Sequence, residues 1–443
     1  MNKANRQYPS SGYAWYMVVL LTIAYILSFV DRYILGLLTE PIKADLGLTD
    51  TQMGWLLGTA FAIFYATMGL PLGYLADRKR RTWIVAAGIA TWSIATAATG
   101  VARNFWHMFV ARMTVGAGEA TLSPCAMSMI SDSFPREKRG KPIAFYTAAL
   151  SLGAGVASLV SAGVLTWAKS VDEISLPLLG AVAPWQFTFI IVGLPGVLLA
   201  LVFVFMREPR RHHTPGGKTK AEFRHMLRHV GQRWKIYGSF VIFVCMMTIV
   251  AYSQGFAAPM FKRTWGWEPE QYAVVNAIIL LSIGPLTVNA AGWWNDRMYS
   301  RGTKDAPLLI VIIGACVIVP TGVIAPLMPT AWGAMAVLAV NTIGIALTSA
   351  TGVTALLNIT PPEIRGQTVA LYYMTISLTG LMLGPQTVGL LSDHVFGNEN
   401  LNQAVAAVPF IFGIPTLLFM RYARRVYLQE LAEQEAAEAA DAS

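Results

Sequence analysis

Two apolar stretches of this chain each carry a pair of charges that a bilayer disfavours. Asp31 and Arg32 lie within AWYMVVLLTIAYILSFVDRYILGLL, and Arg112 and Glu119 lie within FWHMFVARMTVGAGEATLSPCAMSMI. A charged side chain at mid-bilayer costs about 2.5–3.5 kcal/mol on insertion scales, so such residues usually face a protein interior or a watery cavity and carry function. A carboxylate without a partner in a low-dielectric cavity can hold a proton at neutral pH. That makes Glu119 the first candidate for proton exchange and Asp31 the second. The planar guanidinium suits phosphate, so Arg112 or Arg32 is a candidate for binding an anionic head group. Proton and substrate would then exchange on one charged network. The bland alternative is a static ion-pair cluster that ties two helices together.

The elements that position these residues are long apolar runs, each about the 20 residues needed to span a bilayer as a helix. Twelve are read: 14–37, 51–75, 82–101, 105–131, 141–168, 184–206, 234–260, 270–295, 306–328, 331–358, 365–392 and 401–423. The short alternating segments of a membrane β-barrel are absent. The chain is 55% apolar and 13% charged, about half the charged fraction of an ordinary soluble domain. Its net charge of +9 reports topology rather than a nucleic-acid partner. With the N-terminus placed in the cytoplasm, 26 Lys and Arg fall on the cytoplasmic side and 5 on the other. This asymmetry places both termini in the cytoplasm. The first apolar run is too long for a signal peptide and has no cleavage site.

Arg112 then sits seven residues into an inward-running span, roughly 10 Å deep at 1.5 Å per residue. Glu119 lies seven residues further on the same helix face. Asp31 lies in the outer half of the first run, which runs the opposite way; where the two runs are neighbours it is at a similar depth to Arg112 and could pair with it directly, leaving Arg32 and Glu119 for other partners. Gly116 and Gly118 either let helices approach closely or leave room beside the carboxylate. Pro124 removes a backbone donor and is expected to bend the helix. The second half of the chain has no charge deep in a span. It offers neutral polar groups, among them Tyr252, Gln254, Asn341 and Tyr372, which either hydrogen-bond between helices or line a cavity. Cys125, Cys245 and Cys316 lack metal-ligand spacing, and His212 and His213 sit in a basic loop; no cofactor and no metal are expected.

The chain repeats itself. Gly73-Tyr-Leu-Ala-Asp77-Arg78 follows the second run and Gly292-Trp-Trp-Asn-Asp296-Arg297 follows the eighth, 219 residues later. Pro135-Arg-Glu137-Lys-Arg139-Gly140 follows the fourth and Pro361-Pro-Glu363-Ile-Arg365-Gly366 follows the tenth, 226 residues later. Six spans repeated in parallel are a transporter pattern with substrate bound between the halves. The domains are therefore read as 1–206, a first six-helix bundle; 207–233, a basic linker; 234–427, a second bundle; and 428–443, an acidic tail that is helical or frayed. Within the linker, Phe223, Met226, Leu227 and Val230 mark an amphipathic helix, lying either at the membrane interface or against the protein.

Gly73-x-Leu75-Ala76-Asp77-Arg78-x-x-Arg81 resembles the loop signature of the major facilitator superfamily, with Arg80 where that signature usually has Gly. Phe29-Val-Asp31-Arg32-Tyr33 and Arg112-x-x-x-Gly116-x-Gly118-Glu119-Ala120 are similar to the spinster family within it. The resemblance implies an all-α integral membrane protein with the major facilitator fold, twelve transmembrane helices in two pseudo-symmetric bundles. It implies spans 1 and 4 lining a central cavity, with Arg32, Arg112, Glu119, Tyr33, Tyr252, Gln254, Asn341 and Tyr372 as substrate-binding candidates. Gly73, Asp77, Arg78, Arg81, Asp296, Arg297, Arg139 and Arg365 are then conformational-gating candidates, the Asp77 loop bracing one state against the start of span 11.

The family also implies proton-linked or facilitative movement of lysolipids and sphingoid lipids such as sphingosine-1-phosphate. The short tails and compact loops look bacterial, which points to the inner membrane. The expected partners are an amphipathic or anionic small molecule, protons and membrane lipids, with no nucleic acid and the protein a monomer. A small organic anion carrier or a multidrug antiporter is the alternative. An enzyme would need a nucleophile or metal set inside the spans, and neither a Cys/His cluster nor a serine elbow is present. A primary pump would need an ATP-binding loop, which is also lacking.

Overall fold

The computed structural model describes residues 8–135, 138–170, 175–176, 180–211, 219–361 and 364–441. Helix dominates. In chain order come α1 (Ser11–Leu37), α2 (Thr39–Leu46), α3 (Asp50–Gly54), a π-helical turn (Trp55–Thr59), α4 (Ala60–Arg78), α5 (Arg81–Thr99), α6 (Phe105–Glu119), α7 (Leu122–Ser133) and α8 (Gly140–Lys169). A two-stranded ribbon of β1 (Ser175–Leu176) and β2 (Gly180–Ala181) precedes α9 (Pro184–Phe205). There follow α10 (Thr219–Gln232), α11 (Trp234–Tyr252), α12 (Ala257–Trp265), α13 (Pro269–Ser300), α14 (Ala306–Ile324), α15 (Ala331–Asn358), α16 (Arg365–Leu391), α17 (Leu401–Val408) and α18 (Ile414–Asp441).

Among the described residues, ten helical segments are long and apolar enough to cross a membrane. The other two apolar runs are each interrupted. Run 51–75 is divided by the π-helical turn before α4, and run 105–131 breaks between α6 and α7. Proline explains the second break. Its ring clashes with the carbonyl four residues back, and for Pro124 that residue is Ala120, which lies in the break. Thr121 Oγ1 closes the turn on the Gly118 carbonyl at 2.8 Å.

The chain forms two compact units. The first comprises Met1–Pro215 with Phe261–Leu281, and the second comprises Gly216–Met260 with Ser282–Ser443. In the first, α1 packs on α8, α5 on α6 and α9, and α4 on α6. In the second, α11 packs on α16, α14 on α15, and α14 on α18. Counted by span within each half, first meets fifth, third meets fourth, and third meets sixth. The sequence repeat therefore has a packing counterpart. It also has one in detail: Arg139 Nε donates to the Phe134 carbonyl at 2.8 Å, and Arg365 Nε to the Thr360 carbonyl at 3.0 Å. Each arginine caps the helix end five residues before it, at the same place in its motif.

The amphipathic helix α10 belongs to the second unit. Met226 is fully buried and Val230 packs against the cluster of Ile236, Tyr237, Phe240 and Tyr427, while Leu227 is exposed. One side of this helix thus packs against the protein; the side chain of Phe223 and residues 212–218 lie outside the described residues. The acidic tail is helical and continues α18 without a break as far as Asp441.

The segment Phe261–Leu281 is held in the first unit by charge. Arg263 Nη1 donates to Asp50 Oδ2 at 2.6 Å and its Nη2 to Glu40 Oε1 at 2.7 Å. Asp50 is fully buried and also pairs with Lys43. Lys169 reaches Glu270 at 2.7 Å, and Lys262 pairs with Glu268. The Lys262 ammonium bonded to it holds the Glu268 carboxyl below the usual carboxylate range. A carboxyl lowered in this way adds stability above its unfolded pKa and loses it as pH falls through the folded value. Glu268 is about half exposed, so Glu268→Gln is expected to cost under about 1 kcal/mol at pH 7. The melting temperatures of the two proteins should converge in acid; a gap that widened there would refute this.

Candidate functional site

All four intramembrane charges fall in the first unit, on α1 and α6. Asp31, Arg112 and Glu119 are each at most 3% exposed. Arg32 Nε donates to Glu119 Oε2 at 2.8 Å, and Arg32 Nη2 bonds the same oxygen. The partners differ from those expected on depth alone. Arg112 does not take the Asp31 carboxylate; its Nη1 donates to the Asp31 main-chain carbonyl at 3.2 Å and its Nε to the Leu56 carbonyl at 3.3 Å. Leu56 belongs to the π-helical turn, a distortion often found at functional sites. Arg112 thus ties α1, α6 and the π turn together through backbone oxygens. Arg32, with a side chain 20% exposed, is the more open guanidinium of the two.

Glu119 uses one oxygen and keeps the other. Its Oε1 is buried and has no hydrogen-bond partner among the described residues. A buried unpaired oxygen is costly, and it is also where a proton or a donor on a ligand would be accepted. Around the pair stands an aromatic wall that the sequence reading missed. The Arg32 guanidinium lies 4.5 Å from the Phe61 ring centre, 5.1 Å from Tyr65 and 5.5 Å from Phe29. Phe61 stacks on Tyr65, and Tyr25 stacks on Tyr146. Cation–π contact of this kind holds a guanidinium without neutralising it. The signal was available as spacing: Tyr25, Phe29 and Arg32 recur at four and three residues on α1, and Phe61 and Tyr65 at four on α4.

Gly116 and Gly118 serve packing. A Cβ on Gly116 would meet the backbone of Phe61, and one on Gly118 would come within 2.9 Å of the Gly88 carbonyl oxygen and the Trp92 nitrogen. These backbone atoms cannot swing away. Gly118→Ala is therefore expected to push α5 off α6 and to cost about 1–3 kcal/mol, read as a lower melting temperature in detergent; an unchanged value would show that the helices yield.

In the second unit the substrate candidates do not form one cluster. Asn341 is buried and its Nδ2 donates to the Ile318 carbonyl at 3.0 Å and to Thr321 Oγ1 at 2.8 Å, so it joins α15 to α14. Tyr372 is buried against Phe240, with ring centres 6.0 Å apart. Tyr252 is exposed at the end of α11, and Gln254 is half-buried in the 3₁₀ turn that follows. Tyr33, in the first unit, is half-buried beside Arg32 in sequence.

The gating candidates also separate. Arg81, counted with the loop charges in the sequence, is 1% exposed. Its Nε bonds Glu208 at 2.9 Å, its Nη1 bonds Ser128 at 2.8 Å and Asp132, and its Nη2 bonds the Pro209 carbonyl at 3.0 Å. Arg78 stacks 4.0 Å from the Tyr74 ring centre, and Arg297 lies 5.5 Å from Trp293. Asp296 is exposed and meets the Asn295 amide at 3.4 Å. A Cβ on Gly73 would meet open space. The side chain of Asp77 lies outside the described residues, as do Glu137 and Glu363.

The helix repeat and the charged α1–α6 pair now have a family to be set against. The profile of the Major Facilitator Superfamily matches residues 21–385 and 250–440. This chain belongs to that superfamily. It is an integral membrane transporter, and its family and fold are not those of enzymes. A solved bacterial homologue of the human lysosomal transporter spinster, in an inward-facing and occupied conformation, superposes with a TM-score of 0.83 at 25% identity, covering 95% of this chain and 99% of that one. The spinster resemblance of the two charged motifs thus extends to the whole fold. Among curated relatives, an MFS-type efflux pump of Mycolicibacterium smegmatis is 28% identical over 94% of this chain and 95% of its own. A hexuronate transporter of Bacillus subtilis is 22% identical over 85% of this chain and 88% of its own.

Proposed function

We propose that this major facilitator transporter moves an amphipathic anion, a lysophospholipid or a sphingosine-1-phosphate-like lipid, by alternating access coupled to protons. One observation carries the reading: a partly open Arg32, ringed by Phe29, Phe61 and Tyr65, is held by a Glu119 whose second oxygen is unpaired. Protonation of Glu119 would release Arg32 to an anionic head group, and the aromatic rings would receive the apolar part next to it. Return of the proton to solvent would restore the ion pair and expel the anion. Asp31 is the second proton candidate and Arg112 holds the frame. Tyr33, Tyr252, Gln254, Asn341 and Tyr372 are assigned to substrate contact as part of this reading. Gly73, Asp77, Arg78, Arg81, Arg139, Asp296, Arg297 and Arg365 are assigned to gating. The charge asymmetry supports cytoplasmic termini; an inner-membrane location and a monomer belong to the same reading.

A small organic anion is the second reading, and the similarity to a hexuronate transporter favours it. A carboxylate would meet Arg32 with the same geometry as a phosphate. Thermal-shift titration with lysolipids and with hexuronates separates the two. Stabilisation by the lysolipid, lost in Arg32→Gln, supports the amphipathic substrate; stabilisation by hexuronate alone overturns it.

A further inference from the structure

The last helix carries an arginine cluster that the Arg32–Glu119 site does not use. On α18, Arg421, Arg424, Arg425, Leu428 and Ala432 follow one another at offsets of three, four, seven and eleven residues, which places them on one face. With Gln429 they line a shallow, open concavity along this one helix. Arg424 is anchored: its Nε donates to Asp305 Oδ2 at 2.7 Å, at the residue that precedes α14. Arg421 and Arg425 are exposed and have no acidic partner among the described residues. One of the three positive charges is therefore balanced and two are not.

The same face changes character toward the start of the helix. Ile414 and Leu418 precede Arg421 by seven and three residues, and Leu418 is 77% exposed. Phe410, in the π-helical turn that precedes α18, is 61% exposed. In a membrane transporter an apolar stripe this exposed is covered by hydrocarbon. It runs directly into the two unbalanced arginines, so the passage from acyl chain to head group falls at Leu418–Arg421. Leu428, also exposed, gives the far rim of the concavity a second apolar contact. Asp305 fixes the middle guanidinium in place, so the two flanking arginines stand on either side of a held cation.

We infer that this concavity is a binding site for the phosphodiester head group of an anionic phospholipid, with its acyl chains lying along Leu418 and Ile414. Basic pockets next to transmembrane helices bind such head groups through charge, and paired guanidinium forks match phosphate oxygens. The inference is independent of the transported substrate, because α18 and Asp305 share no residue with the α1–α6 pair.

The test uses the purified full chain, stripped of lipid in detergent and offered equal amounts of phosphatidylglycerol and phosphatidylcholine, with bound lipid counted by native mass spectrometry. The wild type is expected to retain phosphatidylglycerol in preference. Arg421→Gln/Arg425→Gln is expected to lower that retention roughly fivefold per arginine, about 25-fold together, and to leave phosphatidylcholine unchanged. Arg224→Gln/Arg228→Gln removes the same charge from exposed positions of α10 and should change retention by less than about twofold. All these arginines are on exposed helix faces, and gel filtration confirms that each variant is folded before counting. Equal retention of both lipids by the wild type overturns the site. So does an equal loss in the α10 variant, which would make net charge the cause. Displacement of the lipid by millimolar inorganic phosphate overturns it as well, since the hollow would then be a site for the free anion.

Discussion

Glu119→Gln is expected to uncouple transport from pH while preserving, or tightening, the binding of an anionic substrate. The reason lies in the competition for one guanidinium. Glu119 takes two bonds from Arg32 through a single oxygen, and an anion must displace it. Glutamine keeps the shape, removes the competing charge and cannot release a proton. Uptake into proteoliposomes should then lose its response to an imposed proton gradient, with substrate held more firmly and released more slowly. Arg32→Gln should act on binding instead. Hydrogen bonds to charged groups contribute about 1.5–3 kcal/mol each, so losing a forked pair weakens anion binding by at least about 100-fold. That single change also leaves Glu119 buried without its cation, which costs about 3–5 kcal/mol of stability. Arg32→Gln/Glu119→Gln removes both charges and should recover the stability without recovering binding. Full pH-driven uptake by Glu119→Gln would end its role as proton carrier.

The largest effect on folding is expected at Arg81. Its guanidinium is 1% exposed and reaches α7 through Asp132 and Ser128, and the chain after α9 through Glu208 and Pro209. Its own backbone N–H also donates to Glu208, at 3.1 Å. Arg81→Gln strands two carboxylates in a poorly solvated place and should cost about 3–5 kcal/mol, a drop of several degrees in melting temperature in detergent. Arg81→Lys should recover less than half of the loss, because an ammonium lacks the fork that reaches three directions at once. Adding Asp132→Asn and Glu208→Gln to Arg81→Gln should restore much of it, since the stranded charges are the main cost. A melting temperature within about one degree of wild type for Arg81→Gln would mean that water already screens the network.

Much of this was legible in the residues. Apolar run length and the repeated Gly73 and Pro135 motifs depend on backbone hydrogen bonding in lipid, which allows few solutions. The two halves therefore emerged from the residues, while the packing of span on span within each came only from the fold. The four charges were equally visible, because a charge in a long apolar run has no bland environment. What was not visible is partner choice. Asp31 and Arg112 lie at matching depth, yet Arg112 spends its donors on the carbonyls of Asp31 and Leu56, and Arg32 takes Glu119. Depth is a one-dimensional coordinate, and pairing also needs the rotation of each helix about its axis. The π-helical turn at Trp55–Thr59 supplies the Leu56 carbonyl that Arg112 uses, without any mark in the composition.

Arg81 and Asn341 show the same limit from two sides. Arg81 read as one more loop charge, and its burial depends on Asp132 and Glu208 arriving from elements 51 and 127 residues away. Asn341 read as either a helix-to-helix bond or a cavity candidate, and its amide joins two helices. By itself the sequence determined the spans, their repeat and the concentration of intramembrane charge on one helix pair, which follow from local composition and spacing, and it pointed to the family through the resemblance of its motifs. Only the tertiary structure decided which arginine is open, which carboxylate oxygen is unsatisfied and which rings surround the pair. Those are properties of contacts between distant segments, where differences of one helix rotation outweigh anything a residue type can report.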